Sequence, residues 1–198
     1  MKTFNALIQL VTVGILILLS GCASIVTDYR TTAEGEEVFY KGMRTKVAPG
    51  LMRAPQSPGL VALYKAANFI KADSPNATIE LDWAWGLAPE TELGRRFKPL
   101  MPKEWAEYVV AKRTDRIAKA HGVVTNSTYE TLTWQGLPGY KVTIDYTTVL
   151  GLDSRIVTYG AVYKEDMYII TMRADLVENY DSMLPKFEYM AKNVTFDK

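Results

Sequence analysis

The sequence predicts an α+β fold, in which a mainly antiparallel β-sheet is flanked by a central helix and a C-terminal helix. Residues 123–173 contain four extended segments separated by short turn signals, which is typical of an antiparallel meander. A helical pattern precedes the meander at residues 102–120, and a second follows it at residues 181–192. The predicted order is therefore strands, central helix, four-strand meander and C-terminal helix.

The composition indicates one globular domain behind an export signal. We expect residues 1–21 to be a lipoprotein signal peptide, residues 22–37 a membrane tether and residues 38–198 the folded domain. The chain has 23 Lys and Arg residues against 22 Asp and Glu. Lys2 is the one charged residue of the signal peptide, so the mature chain has 22 basic and 22 acidic residues. This balance gives no electrostatic argument for nucleic-acid binding.

The first residues of the chain indicate a lipid anchor. The apolar run at residues 4–19 is shorter than the roughly 20 residues that a spanning helix needs, and it fits a secretory signal. It ends in Leu19, Ser20, Gly21 and Cys22, which resembles the lipobox of bacterial lipoproteins. The resemblance implies cleavage between Gly21 and Cys22 and fatty acyl chains, palmitate among them, on Cys22. An ordinary signal peptide with an incidental cysteine is the alternative, although no A-x-A-like cleavage site precedes Cys22.

The residue after Cys22 predicts which membrane holds the anchor. Asp at this position usually retains Gram-negative lipoproteins in the inner membrane, whereas this chain has Ala23. We therefore expect an outer-membrane anchor with the domain facing the periplasm. Cys22 is the only cysteine in the chain, so we expect no disulfide.

The part of the chain before the central helix is predicted to be extended. Residues 23–37 are polar and lack a helical or strand period, which favours a tether; an ordered N-terminal extension is the alternative. Residues 38–47 are predicted as a first strand, and residues 60–64 and 67–72 as short extended pieces. Residues 78–85 alternate as in a half-buried strand. Its predicted core face consists of Ile79, Leu81, Trp83 and Trp85.

The central helix has clear signals at both ends. Pro102 suits the first helical position, and Glu104 and Lys119 match the helix dipole at the start and the end. The preceding residues, 86–101, are predicted as a loop interrupted by proline and glycine.

Four strands and a last helix are predicted after the central helix. The strands are residues 123–134, 140–147, 156–163 and 167–173, with turns at residues 136–139, 151–154 and 164–166. The last helix is predicted to begin at Asp181 or Ser182, because Pro185 is tolerable only near the first turn. Val194 and Phe196 are expected to hold the C-terminus against the sheet. The predicted buried stripe of this helix consists of Met183, Phe187, Met190 and Ala191.

This layout resembles a known superfamily. A glycine-bounded turn at residues 136–140 opens a meander strand, residues 163–171 make a hairpin, and residues 180–196 end the chain as a helix with an apolar coda. The pattern looks like the PsbP-like superfamily, which includes a photosystem II extrinsic subunit, a Ran-binding nuclear transport factor and many bacterial lipoproteins. The resemblance covers residues 38–198 and is strongest after Pro102. It implies a non-enzymatic domain that binds or stabilises a partner protein, an implication from fold alone.

No constellation of residues indicates a catalytic or metal site. The mature chain has one histidine, His121, and no unmodified cysteine, which excludes a His/Cys zinc site with three or four ligands. His121 follows the central helix, where an imidazolium is favoured by the dipole. Ser154 is expected in a turn beside Asp153 and Arg155, without an identifiable histidine partner. We therefore predict no catalytic residue, no metal ligand and no cofactor.

One carboxylate pair requires a choice between two interpretations. Glu80 and Asp82 lie two residues apart on one strand, and such a pair can act as acid and base in a glycosidase. A solvated strand face is the favoured interpretation, because side chains alternate along a strand. The adjacent Trp83 is likewise favoured as a core residue over a sugar platform.

Two function classes follow from these observations. The favoured hypothesis is a lipid-anchored cell-envelope protein that acts as a non-enzymatic binding or accessory module for an envelope protein assembly. Its partners would be the membrane, through Cys22, and a second protein. The alternative is a metal-independent envelope hydrolase that uses Asp or Glu side chains, which would require a pocket where such groups converge with shifted pKa values.

Overall fold

The fold is built from two antiparallel sheets and two helices. A computed structural model describes residues 30–31, 35–53, 67–71, 74–84, 102–164, 166–175 and 177–197. The strands in these residues are β1 (Arg30–Thr31), β2 (Glu37–Tyr40), β3 (Met43–Lys46), β4 (Leu51–Arg53), β5 (Ala67–Lys71), β6 (Ser74–Ala84), β7 (Val123–Trp134), β8 (Leu137–Thr147), β9 (Asp153–Tyr163), β10 (Asp166–Asp175) and β11 (Thr195–Phe196). The helices are α1 (Pro102–Lys119) and α2 (Val177–Lys192). Neither of these two helices is long and apolar enough to cross a membrane.

The large sheet has eight strands in the order β1-β4-β5-β6-β10-β9-β8-β7. Every described pairing in it is antiparallel, and β7 to β10 form the predicted meander. The small sheet has the order β11-β3-β2, so the C-terminal strand pairs with the first hairpin. The predicted α+β class is confirmed.

The two faces of the large sheet carry separate cores. On one face, called the α2 face, Phe187 and its neighbours on α2 pack with the small sheet and with alternate residues of β6, β9 and β10. On the opposite α1 face, Trp105 and Val109 of α1 pack on alternate residues of β8, β9 and β10. Period-2 alternation therefore supplies one apolar set to each helix.

The buried stripe predicted for α2 is confirmed. Met183, Phe187 and Met190 are fully buried, and Ala191 is nearly so. Val194 is buried beyond the helix end, and Phe196 packs its ring on Tyr163, 5.5 Å between ring centroids. The C-terminus is thus held against the core as predicted.

One hairpin turn was missed from the sequence, and another was predicted in the wrong place. Residues 38–47, predicted as one strand, form the hairpin β2–β3, which turns at Lys41 and Gly42 with φ values of +53° and +95°. The turn predicted at residues 136–139 lies at Gln135 and Gly136, with φ values of +53° and +79°, and β8 begins at Leu137. Two-residue hairpin turns of type I′ need a positive φ at both central positions, and Asn or Asp before Gly is their usual signal. Neither turn carries that signal.

The start of α2 was predicted one turn too late. The helix begins at Val177, and Pro185 lies inside it rather than in its first turn. Pro185 is on the exposed side of the helix, so the carbonyl that loses its hydrogen-bond donor can be solvated. Neither Asp181 nor Ser182 caps the helix; the Ser182 hydroxyl donates to the Asn179 carbonyl oxygen at 3.0 Å.

The predicted tether overlaps the folded part of the chain. Arg30–Thr31 pairs with β4, and the Glu36 carbonyl accepts a hydrogen bond from the Val47 amide at 2.9 Å. The described residues 30–31 and 36 are therefore hydrogen-bonded to strands or turns of the fold, and the bounds of the tether stay a prediction. The segments at residues 60–64 and 86–101 lie outside the described residues.

Candidate functional site

Helix α1 and strand β10 place three guanidinium groups around one cavity on the α1 face. Arg113 and Arg116 lie one turn apart on α1, and Arg173 comes from the last part of β10. The cavity has a volume of about 400 Å³, and we call it the arginine cavity. Basic residues near a helix C-terminus are favoured by the helix dipole, which explains why α1 tolerates this charge there.

The floor of the arginine cavity is polar but well ordered. Thr171 of β10 is buried, and its hydroxyl lies 3.2 Å from that of the fully buried Thr158 on β9. Arg113 Nη2 donates to Thr171 Oγ1 at 3.4 Å, a long bond that leaves most of the guanidinium donors available. The floor thus provides one hydrogen-bond acceptor for Arg113.

Charge in the arginine cavity is unbalanced. Three arginines and one carboxylate, Glu80, line it, so the lining carries a formal charge of 3 − 1 = +2. Within the described part of the chain, Arg113 and Arg116 form no ion pair, and Arg173 Nε lies 3.7 Å from the Asp175 carboxylate. Asp82 lies two residues from Glu80 on the same strand face but does not line the cavity.

An exposed aliphatic group borders the arginine cavity. Val149 lines the cavity and, with Leu150, forms the tip of the loop between β8 and β9; the side chains are 67% and 80% exposed. The loop is held by the Leu152 amide, which donates to Thr148 Oγ1 at 3.1 Å. We call Val149 and Leu150 the aliphatic rim.

A second cavity, of about 380 Å³, lies at the same end of the sheet. Its Arg155 guanidinium is held by two hydrogen bonds to Asp145, one of them 3.1 Å long, and lies 4.5 Å from the centre of the Tyr180 ring. The hydrogen bonds that Arg155 donates to Asp145 raise the pKa of Arg155 above its already high usual value. These contacts occupy the guanidinium, which favours a structural role for Arg155.

The predicted turn around Ser154 is wrong. Ser154 lies in β9, is buried, and donates to the Asp175 carboxylate at 2.7 Å. A neighbouring carboxylate, Asp153, accepts from the Thr147 hydroxyl at 3.1 Å. The strand extends further than predicted because Asp153 pairs with Thr147 across the β8–β9 hairpin.

Strand β7 forms an edge of the large sheet and is exposed along most of its length. Residues 125–131 are exposed on both faces, and β8 is the only described strand that pairs with β7. Natural edges are usually protected by charges, prolines or bulges. These seven residues contain one charged side chain, Glu130, and no proline, although the register shifts between Val124 and Asn126. We call residues 125–131 the open edge.

The other residues considered from the sequence take separate places. Gly21 and Cys22, the predicted cleavage and lipidation site, and Trp85 lie outside the described residues. His121 follows α1 as expected and is exposed. In the described part of the chain, no group of three His, Cys, Asp or Glu side chains is placed to hold a metal ion.

The strand that carries Glu80 differs in one respect from the prediction. Trp83 is half-buried and packs against the α2-face core, as expected, with Lys41 Nζ 5.3 Å from the ring centre. Glu80, in contrast, is half-buried and lines the arginine cavity, so it does not belong to a simple solvated face. Arg113 of α1 lines the same cavity.

Sequence reasoning missed the arginine cavity. Arg113 and Arg116 have the spacing of one helix face, which is the one local signal, but a solvated helix face has the same spacing. Arg173 joins them only through the strand order of the large sheet.

Comparisons with known proteins identify the fold. No model of a protein family matches this chain, and no curated protein matches its sequence. The solution structure of cyanobacterial PsbP (CyanoP) from Synechocystis sp. PCC 6803 matches with a TM-score of 0.59 at 8% identity, over 81% of this chain and 91% of that one. The fold is PsbP-like.

Two further structures share the PsbP-like fold. The Saccharomyces cerevisiae Ran-binding protein Mog1p matches with a TM-score of 0.53 at 12% identity, over 83% of this chain and 96% of its own. LpqN of Mycobacterium tuberculosis, which is involved in cell envelope biogenesis, matches with a TM-score of 0.52 at 11% identity, over 82% of this chain and 90% of its own. At these identities the likeness shows the fold alone.

Proposed function

We propose that this protein is a lipid-anchored cell-envelope protein that acts as a non-enzymatic binding or accessory module for an envelope protein assembly. The lipobox-like sequence supports cleavage before Cys22 and attachment of a diacylglyceryl group to its sulfur through a thioether. Ala23 supports the outer membrane, with the domain facing the periplasm. One acyl chain binds a membrane only marginally, so a stable anchor requires the several chains of a lipoprotein.

The open edge is the observation that carries the binding role. A strand with unpaired amides and carbonyls can be extended by a segment of another protein, which adds one more strand to the sheet. The open edge provides this template over seven residues, and its mostly uncharged side chains do not repel an incoming strand. The occupant in this proposal is therefore an extended segment of a partner protein.

A groove near the end of β7 supports the same role. It has a volume of about 420 Å³ and lies between Trp134 of β7 and the exposed Tyr189 of α2. Gln135 connects the end of β7 to α2, because its side-chain amide donates hydrogen bonds to the carbonyl oxygens of Ala191 and Lys192, at 3.0 and 2.7 Å. In strand addition, main-chain hydrogen bonds provide affinity and such side-chain pockets provide specificity.

The PsbP-like neighbours are compatible with this role. Mog1p is described as a Ran-binding protein, and LpqN as involved in cell envelope biogenesis. Both descriptions concern interaction or assembly, and they support a binding module over the hydrolase alternative. The engaged carboxylates also favour a binding module, since Asp145 and Asp175 are held by Arg155 and Ser154.

Site-specific photo-crosslinking in living cells tests the role of the open edge. A photoreactive residue replaces Thr128, in the middle of the open edge, and a matched control replaces Lys112, an exposed residue of α1. We expect one defined protein adduct from position 128 and none from position 112. The adduct should weaken when Thr131→Lys adds a charge to the edge. Adducts that are equal at both positions, or none at position 128, would refute the proposal.

Metabolic labelling tests the anchor separately. With a palmitate analogue, the wild-type chain should be labelled and Cys22→Ser should not be, because only a thiol forms the thioether. Equal labelling of the two chains would exclude Cys22 as the anchor and would leave the test of the open edge intact.

A further inference from the structure

The arginine cavity and the aliphatic rim form a mixed surface that protein strand addition at β7 does not explain. The lining carries a formal charge of +2, and Arg113 and Arg116 form no ion pair within the described residues. Guanidinium groups bind phosphate oxygens through several charge-assisted hydrogen bonds. The chemistry of the lining therefore fits a phosphate group.

The apolar part of the surface indicates which kind of molecule carries that phosphate. Ile117, Ile156 and the exposed Val149 line the cavity, and Leu150, which is 80% exposed, follows Val149 at the tip of the loop. A free phosphate would not contact these side chains. The combination of aliphatic side chains and nearby cationic groups matches the interface of an anionic membrane, where apolar burial and electrostatic attraction act together.

The proposed anchor places a membrane within reach. Cys22 and Arg30, the first residue of β1, are eight residues apart, and eight residues span at most about 28 Å. This argument rests on the proposed lipid anchor, whereas the charge and the aliphatic rim do not. We infer that the arginine cavity binds the phosphate of an anionic phospholipid headgroup while the aliphatic rim contacts the adjoining acyl region.

Titration of the full-length protein, purified in a neutral detergent, tests this inference. The probe is dihexanoyl phosphatidylglycerol, which has a phosphate of net negative charge. Dihexanoyl phosphatidylcholine has the same chains but no net charge, and glycerol 3-phosphate provides the phosphate without chains. We expect binding of the phosphatidylglycerol lipid, with at least tenfold weaker binding of the other two probes.

Five variants extend the titration. Arg113→Gln and Arg116→Gln should each weaken binding about fivefold, as expected for one cationic contact at a lipid surface. Glu80→Gln should strengthen binding, which damage to the fold would not do. Lys112→Gln removes the same charge from α1 outside the cavity and should leave binding unchanged. Leu150→Ser should weaken binding of the lipid and leave any binding of glycerol 3-phosphate unchanged.

Several outcomes would overturn the inference. Equal binding of the neutral lipid would show that the arginines do not recognise the charge of the headgroup. An effect of Lys112→Gln equal to that of Arg116→Gln would show that binding does not occur in the arginine cavity. Glycerol 3-phosphate binding as tightly as the lipid would make the site one for soluble phosphates. Absence of binding to all three probes would refute it outright. None of these outcomes depends on Cys22 or on a partner at the open edge, so they are distinguishable from failure of the proposed function.

Discussion

The two faces of the large sheet differ in how completely they are covered. Among the described residues, 21 buried apolar residues form one core on the α2 face, which α2 and the small sheet close. On the α1 face, 11 described apolar residues, four of them on α1 itself, form the second core, and the sheet beside them carries Thr171, Glu80 and Arg173 around a cavity. We therefore expect the larger effects on stability on the α2 face and effects on binding at the polar part of the α1 face. Single substitutions on each face test this contrast.

The largest effect is expected in the middle of α2. Phe187 is fully buried and its ring lies 5.7 Å from that of Tyr159, so Phe187→Ala leaves a cavity in the main core. We expect a loss of about 3–5 kcal/mol in the free energy of unfolding. That is a large part of the roughly 5–15 kcal/mol typical of a domain. Urea melts would measure it, with the exposed Lys192→Ala as a control expected to cost at most about 0.5 kcal/mol. Equal effects would mean that α2 is not docked on the sheet.

A smaller effect is expected on the α1 face, at Gly160. Gly160 lies opposite Tyr140 in the β8–β9 register, and a Cβ atom there would overlap the buried Tyr140 ring. Gly160→Ala should cost about 1–3 kcal/mol by overpacking. In a Tyr140→Ala background the ring is absent, so the same substitution should become nearly neutral in a double-mutant cycle. If Gly160→Ala costs the same free energy of unfolding in that background, overlap with the Tyr140 ring is not its cause.

Lys186 should have an effect of intermediate size. From the helix pattern alone we expect Lys186 to point into solvent and Lys186→Ala to be nearly neutral. The structure shows instead that its half-buried side chain donates a hydrogen bond to the Pro49 carbonyl oxygen, joining α2 to the loop before β4. Lys186→Ala should therefore cost about 0.5–1.5 kcal/mol in urea melts. A cost no greater than that of Lys192→Ala would show that this contact contributes nothing.

The smallest effect on stability is expected in the arginine cavity. Arg116 is exposed and forms no ion pair among the described residues, so Arg116→Gln should change the free energy of unfolding by at most about 0.5 kcal/mol. The same substitution is expected to weaken headgroup binding. A melt that is strongly destabilised would instead assign Arg116 to the fold and remove the contrast between the two faces.

The sequence predicted the elements whose pattern is local. The meander, α1 and the stripe from Met183 to Ala191 follow from periodicity, since each alternation is visible within about ten residues. The hairpin at Lys41 and the N-terminal turn of α2 were missed because a lysine in a positive-φ turn and a proline within a helix both contradict local preference.

The binding surfaces depend on long-range pairing and were therefore not predictable. Arg173 lines the arginine cavity because β10 lies beside β6, whose Thr78 is its register partner 95 positions earlier in the chain. The open edge likewise exists because β7 is the last strand in the order of the large sheet. A single sequence contains the strands but not their order, and the order decides which side chains and which edge are available.

Hydrogen–deuterium exchange of the protein in its native membrane, compared with the protein purified in neutral detergent, tests the central claim most directly. Amides of the open edge have no described partner strand on their outer side, so a bound segment should slow their exchange. The account predicts slower exchange in the membrane at residues 125–131 and at residues 148–152, with exchange in α2 unchanged. Slower exchange confined to α2, or no difference between the two samples, would contradict the assignment of binding to β7 and the α1 face.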